Sequence, residues 1–288
     1  MTASADGPWV VRIPLAADDD PELMSARLWS LGTTGVAELG GDQGPHLIAG
    51  FDDATAAERA VAALDRAGLT LGRVDPGGWV EEWRRASVPT RVGPLVIRAP
   101  WHPAEPWGGG NVHLVIDPGP TFGHGGHPTT RLILAQLARL VRSSTTVLDV
   151  GSGSGVLAVA AAALGAARVV AVDTDPDAIA ATRANASVNG VGVDAFVGTV
   201  DPAQGRFDLV LANLLAPVLR ELGPRLVPVV AAGGTLLVAG LLADQRDGVV
   251  DALRPLAPVR SDSDGDWLLL ELRTPPPTRS APGVAARG

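Results

Sequence analysis

The sequence lacks cysteine, lysine and tyrosine, and each absence narrows what the chain can do. Without cysteine among its 288 residues, it has no disulfide framework, no thiolate nucleophile and no thiolate metal site. All 23 basic residues are arginine, an imbalance that GC-rich codon usage explains together with the excess of alanine, glycine and proline. The absence of tyrosine also removes one of the aromatic side chains on which a nucleic-acid base stacks.

Long apolar runs and net positive charge are absent as well. No apolar run approaches the ~20 residues that span a bilayer, and the start M-T-A-S-A-D-G-P lacks the basic and apolar regions of a signal peptide. The net charge of −8 argues against direct binding of nucleic acid, whose partners normally carry a basic face. An acidic surface instead attracts a basic partner. We therefore predict a cytoplasmic enzyme that does not bind membranes.

The first part of the chain has the pattern of a small α+β domain. Strands are predicted over Trp9–Leu15, Gly35–Leu39 and His46–Phe51, and helices over Pro21–Leu31 and Ala54–Ala67. The order β-α-β-β-α predicts a ferredoxin-like domain over residues 1–75. A linker over 76–110 follows, with a helix at Trp79–Ala86 and a strand over Pro89–Pro100. The main domain then covers 111–273, beginning with a strand at Val112–Ile116, and the Pro- and Arg-rich tail 274–288 is predicted to be disordered.

From His127 onward helices and strands alternate, which predicts a Rossmann-like, doubly wound parallel sheet. Its strands are predicted at Thr146–Val150, Arg168–Val172, Asp194–Val197, Phe207–Ala212 and Gly234–Ala239. The last two strands, Ala257–Arg260 and Asp266–Glu271, are separated by S-D-S-D-G. This spacing predicts a hairpin, so that the sheet ends on an antiparallel strand.

The segment Thr146–Gly155 reads T-V-L-D-V-G-S-G-S-G and leads directly into an alanine-rich helical stretch. The following strand ends at Asp173. A strand, a glycine loop, a helix and a second strand ending in an acid are typical of a nucleotide-type cofactor site. Gly151 and Gly153 let the backbone approach the ligand, and Asp173 accepts hydrogen bonds from ribose hydroxyls.

The spacing of these glycines distinguishes between two cofactors. Nicotinamide enzymes usually show Gly-x-Gly-x-x-Gly, whereas here the third glycine comes one place earlier, at Gly155. The tighter spacing, with Asp149 two places before the first glycine, favours S-adenosylmethionine. A nicotinamide oxidoreductase also needs an acid–base residue after the fourth strand, where no good candidate is found. The sequence therefore predicts a methyltransferase.

Asn213 lies in the segment L-A-N-L-L-A-P, directly after the fourth predicted strand. The carboxyl ends of parallel strands surround the ligand, so Asn213 is expected at the mouth of the site, where it accepts hydrogen bonds from an incoming amine. Nucleobase amino-methyltransferases have an aromatic residue three places later, but this chain has Ala216. The sequence therefore favours an aliphatic amine as substrate. A helix cap for a helix beginning at Leu214 is the alternative role of Asn213, and both roles are compatible.

A glycine- and proline-rich loop, D-P-G-P-T-F-G-H-G-G-H-P-T-T, covers Asp117–Thr130. Two histidines, His124 and His127, lie three apart, but no further cluster of ligands accompanies them, and we predict no metal site. The loop is expected to cover the cofactor, with the Thr129 and Thr130 hydroxyls at the helix start or at the methionine end of the cofactor. His127 is either a base or a structural hydrogen-bond donor within the loop.

These segments, in order and spacing, resemble the PrmA family, which methylates large-subunit ribosomal protein eleven. The similarity covers 111–242, including V-D-T-D-P-D-A-I and A-N-L-L-A-P-V-L, and extends to the linker motif W-V-E-E-W-R-R. The resemblance implies that the cofactor contacts are Thr130, Gly151, Asp173 and Asn213. It further implies that the N-terminal domain recognises the ribosomal protein and that lysine side-chain and N-terminal amines receive the methyl groups.

The chain departs from the family pattern in two places. The family loop usually reads F-G-T-G-x-H-P-T-T, and this chain has His124 in place of the threonine. Residues 1–75 agree only in layout, which leaves another protein lysine or a small amine open as the substrate. A non-catalytic ribosome-associated binding module is the alternative from a different class. The sequence does not specify the target amines, the number of methyl groups or the oligomeric state.

Overall fold

The computed structural model describes residues 9–16, 19, 21–33, 35–39, 44–51, 53–73, 89–103, 112–117 and 125–274. The chain divides into two compact units, 1–126 and 127–288. The helix predicted at Trp79–Ala86, most of the loop containing His124, and the tail from residue 275 lie outside the described residues. The predicted domain boundaries at residues 75 and 110 stay predictions.

The first unit begins with a four-stranded antiparallel sheet. Its elements are β1 Trp9–Pro14, α1 Pro21–Ser30, β2 Gly35–Leu39, β3 His46–Phe51, α2 Ala54–Leu64 and β4 Thr70–Arg73. The strand order β2-β3-β1-β4 with antiparallel neighbours confirms the ferredoxin-like prediction. Helix α2 ends three residues earlier than predicted because Asp65 adopts a left-handed conformation. Strand β4 is short, largely exposed and without regular alternation, so its sequence gave no signal of a strand.

A three-stranded sheet completes the described part of this unit. It contains β5 Thr90–Val92, β6 Leu95–Arg98 and β7 Val112–Val115, with β5 antiparallel and β7 parallel to β6. The single strand predicted over 89–100 is therefore a hairpin. The chain reverses at Gly93, whose positive φ of 54° suits glycine in a tight turn.

The second unit is built on a seven-stranded sheet in the order β10-β9-β8-β11-β12-β14-β13. Its strands are β8 Thr146–Val150, β9 Arg168–Asp173, β10 Asp194–Val197, β11 Phe207–Asn213, β12 Val230–Leu242, β13 Ala257–Asp264 and β14 Trp267–Arg273. The first five strands in the order are parallel to one another, and β14 is antiparallel to both β12 and β13. The doubly wound sheet with an antiparallel last strand is confirmed. The order of connection reverses between β8 and β11: β9 and β10 follow β8 towards one side of the sheet, and β12 follows β11 towards the other. Such folds bind ligands at this point.

Five α-helices accompany this sheet in the described part of the unit: α3 Pro128–Leu140, α4 Val156–Ala163, α5 Pro176–Val188, α6 Ala216–Val229 and α7 Arg246–Ala252. Residues 209–212 of strand β11 are apolar and buried on both faces, and side chains from β8, β9, β12, β14, α6 and α7 form a core cluster beside them. This burial is typical of a parallel sheet that is covered on both sides. None of the helices in the described ranges is long and apolar enough to cross a membrane.

The C-terminal hairpin turns later than predicted, at Gly265–Asp266 instead of Ser261–Gly265. Residues 261–264 pair with β14, and two of their aspartates bind side chains of helix α3. Asp264 accepts from Arg131, and Asp262 accepts from Gln136. The polar S-D-S-D run is therefore a strand whose acidic side chains hold helix α3, a pairing that the sequence alone does not show.

Candidate active site

The glycine loop follows β8 and joins it to helix α4. Gly151, Gly153 and Gly155 all have positive φ, at 74°, 52° and 79°. A Cβ atom at Gly155 would lie 2.8 Å from the Thr182 Cα of helix α5, so a larger residue there would collide with backbone. The Gly151 amide donates to the Val172 carbonyl at 2.8 Å, which ties the loop to the end of β9. The loop conformation therefore requires glycine both for its dihedral angles and for its packing.

Asp173 lies at the end of β9 and contacts this loop. Its Oδ2 accepts from the Gly153 amide at 2.9 Å, and its Oδ1 accepts from the Asp175 amide at 3.0 Å. Each carboxylate oxygen has a second lone pair, so both can still accept from ribose hydroxyls. This chemistry fits the ribose of S-adenosylmethionine, and the two backbone bonds fix the carboxylate beside the loop. Gly153 and Asp173, predicted separately, are thus brought together.

Two polar residues of helix α5, which were not predicted from the sequence, also hold the loop. The Thr182 hydroxyl donates to the Gly153 carbonyl at 3.2 Å, and the Asn185 Nδ2 donates to the Ser154 carbonyl at 2.9 Å. Both side chains are buried. Their spacing of three residues puts them on one helix face, and this spacing of two polar residues is the only signal that the sequence offers, since their burial is known only from the structure.

Asp149 is completely buried at the end of β8, beneath the start of helix α4. Its Oδ2 accepts from the Ala158 amide at 3.1 Å, in the position of a side-chain cap, because the N-cap residue itself is Gly155. Among the described residues no group donates to its Oδ1. Burial raises the pKa of Asp149 to about 7, outweighing the hydrogen bond from Ala158, and the nearby Asp173 charge also raises it.

We expect the stability of the protein to fall as the pH rises from about 4 to about 7 because of Asp149. In this range the folded state keeps a proton that the unfolded state has lost, so unfolding becomes easier with each pH unit. Asp149→Asn removes the carboxyl group that holds this proton. As the pH rises through this range, the free energy of unfolding of the variant should therefore rise by about 3–4 kcal/mol relative to that of the unchanged protein. Urea denaturation of both proteins between pH 4.5 and 8 measures the difference, and a pH-independent difference would contradict the assignment.

Asn213 is the last residue of β11, at the carboxyl edge of the sheet, and is half-buried. Its Nδ2 donates to the hydroxyl of the buried Thr130 at 3.3 Å. This bond orients the amide and leaves Oδ1 as the atom that can accept from a substrate amine. Helix α6 begins at Ala216 with Leu215 as its N-cap, so the helix-cap interpretation of Asn213 is wrong.

His127 is the N-cap of helix α3. Its Nδ1 accepts from the Thr129 amide at 3.3 Å, and its ring packs edge-on against Trp267 with 5.3 Å between ring centroids. The His127 Nδ1 is therefore the hydrogen-bond acceptor that caps the start of helix α3. Within the described ranges no three His, Asp or Glu side chains lie close enough to hold a metal ion.

The predicted site residues all lie along one edge of the large sheet. Thr130 contacts Asn213, and Gly153 contacts Asp173. Gly151 lies between the two pairs. Its amide bonds to Val172, the residue before Asp173, and a Cβ at this position would lie 2.5 Å from the side chain of Leu214, the residue after Asn213. Direct contact of these five residues with a cofactor stays a prediction.

Comparison with known proteins places the chain among methyltransferases. A family model described as ribosomal protein L11 methyltransferase (PrmA) matches residues 47–275. Proteins named ribosomal protein L11 methyltransferase are similar to it. The one from Geobacter sulfurreducens is 44% identical over 198 residues, which are 68% of this chain and 66% of the relative. The one from Thermus thermophilus is 42% identical over 196 residues, which are 67% of this chain and 76% of the relative.

A solved structure agrees with these relatives. The ribosomal protein L11 methylase from Lactobacillus delbrueckii subsp. bulgaricus is 31% identical to the chain and superimposes with a TM-score of 0.58. The superposition covers 64% of this chain and 95% of that structure. Residues 1–46 lie outside the family match, and the part of the chain aligned with the Geobacter sulfurreducens relative spans slightly less than two thirds of its length.

Proposed function

The chain belongs to the ribosomal protein L11 methyltransferase (PrmA) family, and from this membership we propose that it methylates amines of ribosomal protein L11 with S-adenosylmethionine. The observation that carries the proposal is the bond between Asn213 and Thr130 at the end of β11. It engages the amide nitrogen of Asn213 and leaves Oδ1, the acceptor that an amine needs, at the carboxyl ends of the strands, where folds of this class bind ligands. The fixed Asp173 carboxylate beside the glycine loop supports the identity of the cofactor.

The residues of the chain act chiefly by binding and positioning. When bound, S-adenosylmethionine would supply the methyl group: its sulfur–carbon bond would break as the nitrogen–carbon bond forms, with S-adenosylhomocysteine as the leaving product. A lysine ammonium has a pKa of ~10.4 and must release a proton to the solvent before its nitrogen can attack. Desolvation at the sheet edge and the positive charge of the cofactor both lower the pKa of the ammonium. Asn213 Oδ1 then accepts from the amine and aims its lone pair, so that orientation provides much of the rate.

Recognition of the protein substrate is assigned to the first unit and to the charge of the chain. The family match begins at residue 47, within β3, so strands β1 and β2 of the ferredoxin-like sheet lie before the matched residues. We propose that this sheet contacts the ribosomal protein. The net charge of −8 favours the approach of a basic partner. A ribosomal substrate agrees with the cytoplasmic location expected from the sequence, which stays a prediction.

Labelled S-adenosylmethionine and purified ribosomal protein L11 test this proposal. We expect methyl incorporation at lysine or N-terminal amines, located by mass spectrometry of peptides. Free lysine and an unrelated lysine-rich protein are the control substrates. Equal labelling of the controls would favour the broader amine methyltransferase, and no binding of S-adenosylmethionine in calorimetry would favour the non-catalytic module.

A further inference from the structure

Strand β12 contains a bulge at Gly240. Ala239 pairs with Leu269 of β14 and Leu241 pairs with Leu268, so Gly240 is an extra residue between two successive pairs. Its φ of 92° is one that residues with a side chain rarely adopt. The bulge lies just beyond Ala239, which is the partner of Asn213 on the other side of β12. It is therefore adjacent to the proposed amine site.

The backbone of Leu214 lies directly against this bulge. The Leu214 amide donates to the Ala239 carbonyl at 3.0 Å and extends the pairing of β11 with β12 by one residue. A Cβ at Gly240 would lie 2.8 Å from the Leu214 carbonyl carbon and closer still to its oxygen. Since backbone cannot move aside like a flexible side chain, any larger residue at 240 must displace Leu214.

The side chain of Leu214 is held from the other direction by the glycine loop. A Cβ at Gly151 would lie 2.5 Å from Leu214 Cδ2, so the absence of a side chain there makes room for the leucine. The same side chain packs against the core cluster below the sheet edge. Leu214 thus occupies the space between two glycines, one in the cofactor loop and one in the β12 bulge.

We propose that Gly240 and Leu214 are positioning residues for methyl transfer, which hold Asn213 at a fixed distance from the cofactor loop. The inference rests on the proposed function, because it assumes that Asn213 orients the amine. Leu214 directly follows Asn213 in the chain, and the Asn213 Nδ2 donates to Thr130. A shift of Leu214 therefore moves the side-chain amide of Asn213 relative to Thr130 and to the cofactor loop. Displacement of a reacting group by about 1 Å can cost on the order of 100-fold in rate.

The test compares two glycines of the same strand. Gly240→Ala introduces a side chain at positive φ and against the Leu214 backbone, whereas the control Gly233→Ala has a φ of 77° and no atom within 4 Å of the added Cβ. Both variants carry the conformational cost, and only Gly240→Ala displaces Leu214. We expect kcat towards ribosomal protein L11 to fall at least about tenfold in Gly240→Ala and to stay within about twofold in Gly233→Ala.

A second pair keeps the test decisive if Gly240→Ala does not fold. Leu214→Ala removes the side chain between the glycines, and the control Leu222→Ala truncates another half-buried leucine that packs against the same core cluster. We expect Leu214→Ala to lose at least about tenfold in kcat, with the dissociation constant of S-adenosylmethionine changed by less than about threefold. Leu222→Ala should lower the melting temperature with kcat nearly unchanged.

Two results would overturn the inference: kcat of the Leu214→Ala protein equal to that of its control, or a loss of cofactor affinity as large as the loss of kcat. The second result would mean that Leu214 serves only the cofactor loop. Activity of the unchanged chain is the reference. If that chain binds S-adenosylmethionine without methylating L11, the proposed function fails and the inference fails with it, whereas an active chain with insensitive variants refutes the inference alone.

Discussion

Replacing Asn213 with alanine is expected to lower kcat about 100-fold or more and to weaken the binding of S-adenosylmethionine far less. The amide is the group that we assign to the amine, and its Nδ2 is already engaged by Thr130. Its removal leaves the nucleophile without the acceptor that aims its lone pair, which matters only once substrate is present. Steady-state kinetics with ribosomal protein L11, together with calorimetric titration of the cofactor, separate the two effects.

The matched control for this variant is Asn189→Ala. Asn189 follows helix α5 and donates to the Asn185 carbonyl at 2.7 Å, so its loss removes a comparable hydrogen bond away from the sheet edge. We expect its kcat to stay within about twofold of the unchanged enzyme. Equal losses of kcat and cofactor affinity in Asn213→Ala would instead reduce Asn213 to a cofactor contact with no part in orienting the amine.

Replacing Asp173 with alanine is expected to weaken the binding of S-adenosylmethionine by about 1.5–3 kcal/mol, which is roughly 10- to 150-fold in the dissociation constant. The carboxylate is assigned to the ribose hydroxyls, and bonds to a charged acceptor are stronger than neutral ones. It also accepts from the Gly153 amide, so its loss loosens the glycine loop that surrounds the ligand. We therefore expect the effect at the upper end of this range.

Asp175→Ala provides the comparison for Asp173. Asp175 is the N-cap of helix α5 and accepts from the Asp177 amide at 2.8 Å, a role confined to the helix start. Its replacement should cost about 1 kcal/mol of stability and leave the cofactor affinity nearly unchanged. Isothermal titration of both variants decides the matter, since an unchanged affinity in Asp173→Ala would remove this residue from the site.

The sequence was sufficient to predict the features that depend on residues close together in the chain. The alternation of helices and strands after His127 predicted the doubly wound sheet, and the spacing of Gly151, Gly153 and Asp173 predicted a loop that the structure ties to the acid. Failures occurred where pairing partners are distant in the chain. The predicted turn over Ser261–Gly265 is mostly strand: it pairs with β14, and its aspartates bind residues of α3 more than 120 positions earlier.

The sequence by itself determined the family, the fold class and the chemical types of the site residues, because each depends on residue identity and short spacing. Only the tertiary structure decided how those residues act together. It brings Thr130 to Asn213 across 83 positions, puts Thr182 and Asn185 under the loop, and places Leu214 between Gly151 and Gly240. Such contacts depend on the packing of strands and helices that are far apart in the chain, and local pattern carries no information about that packing.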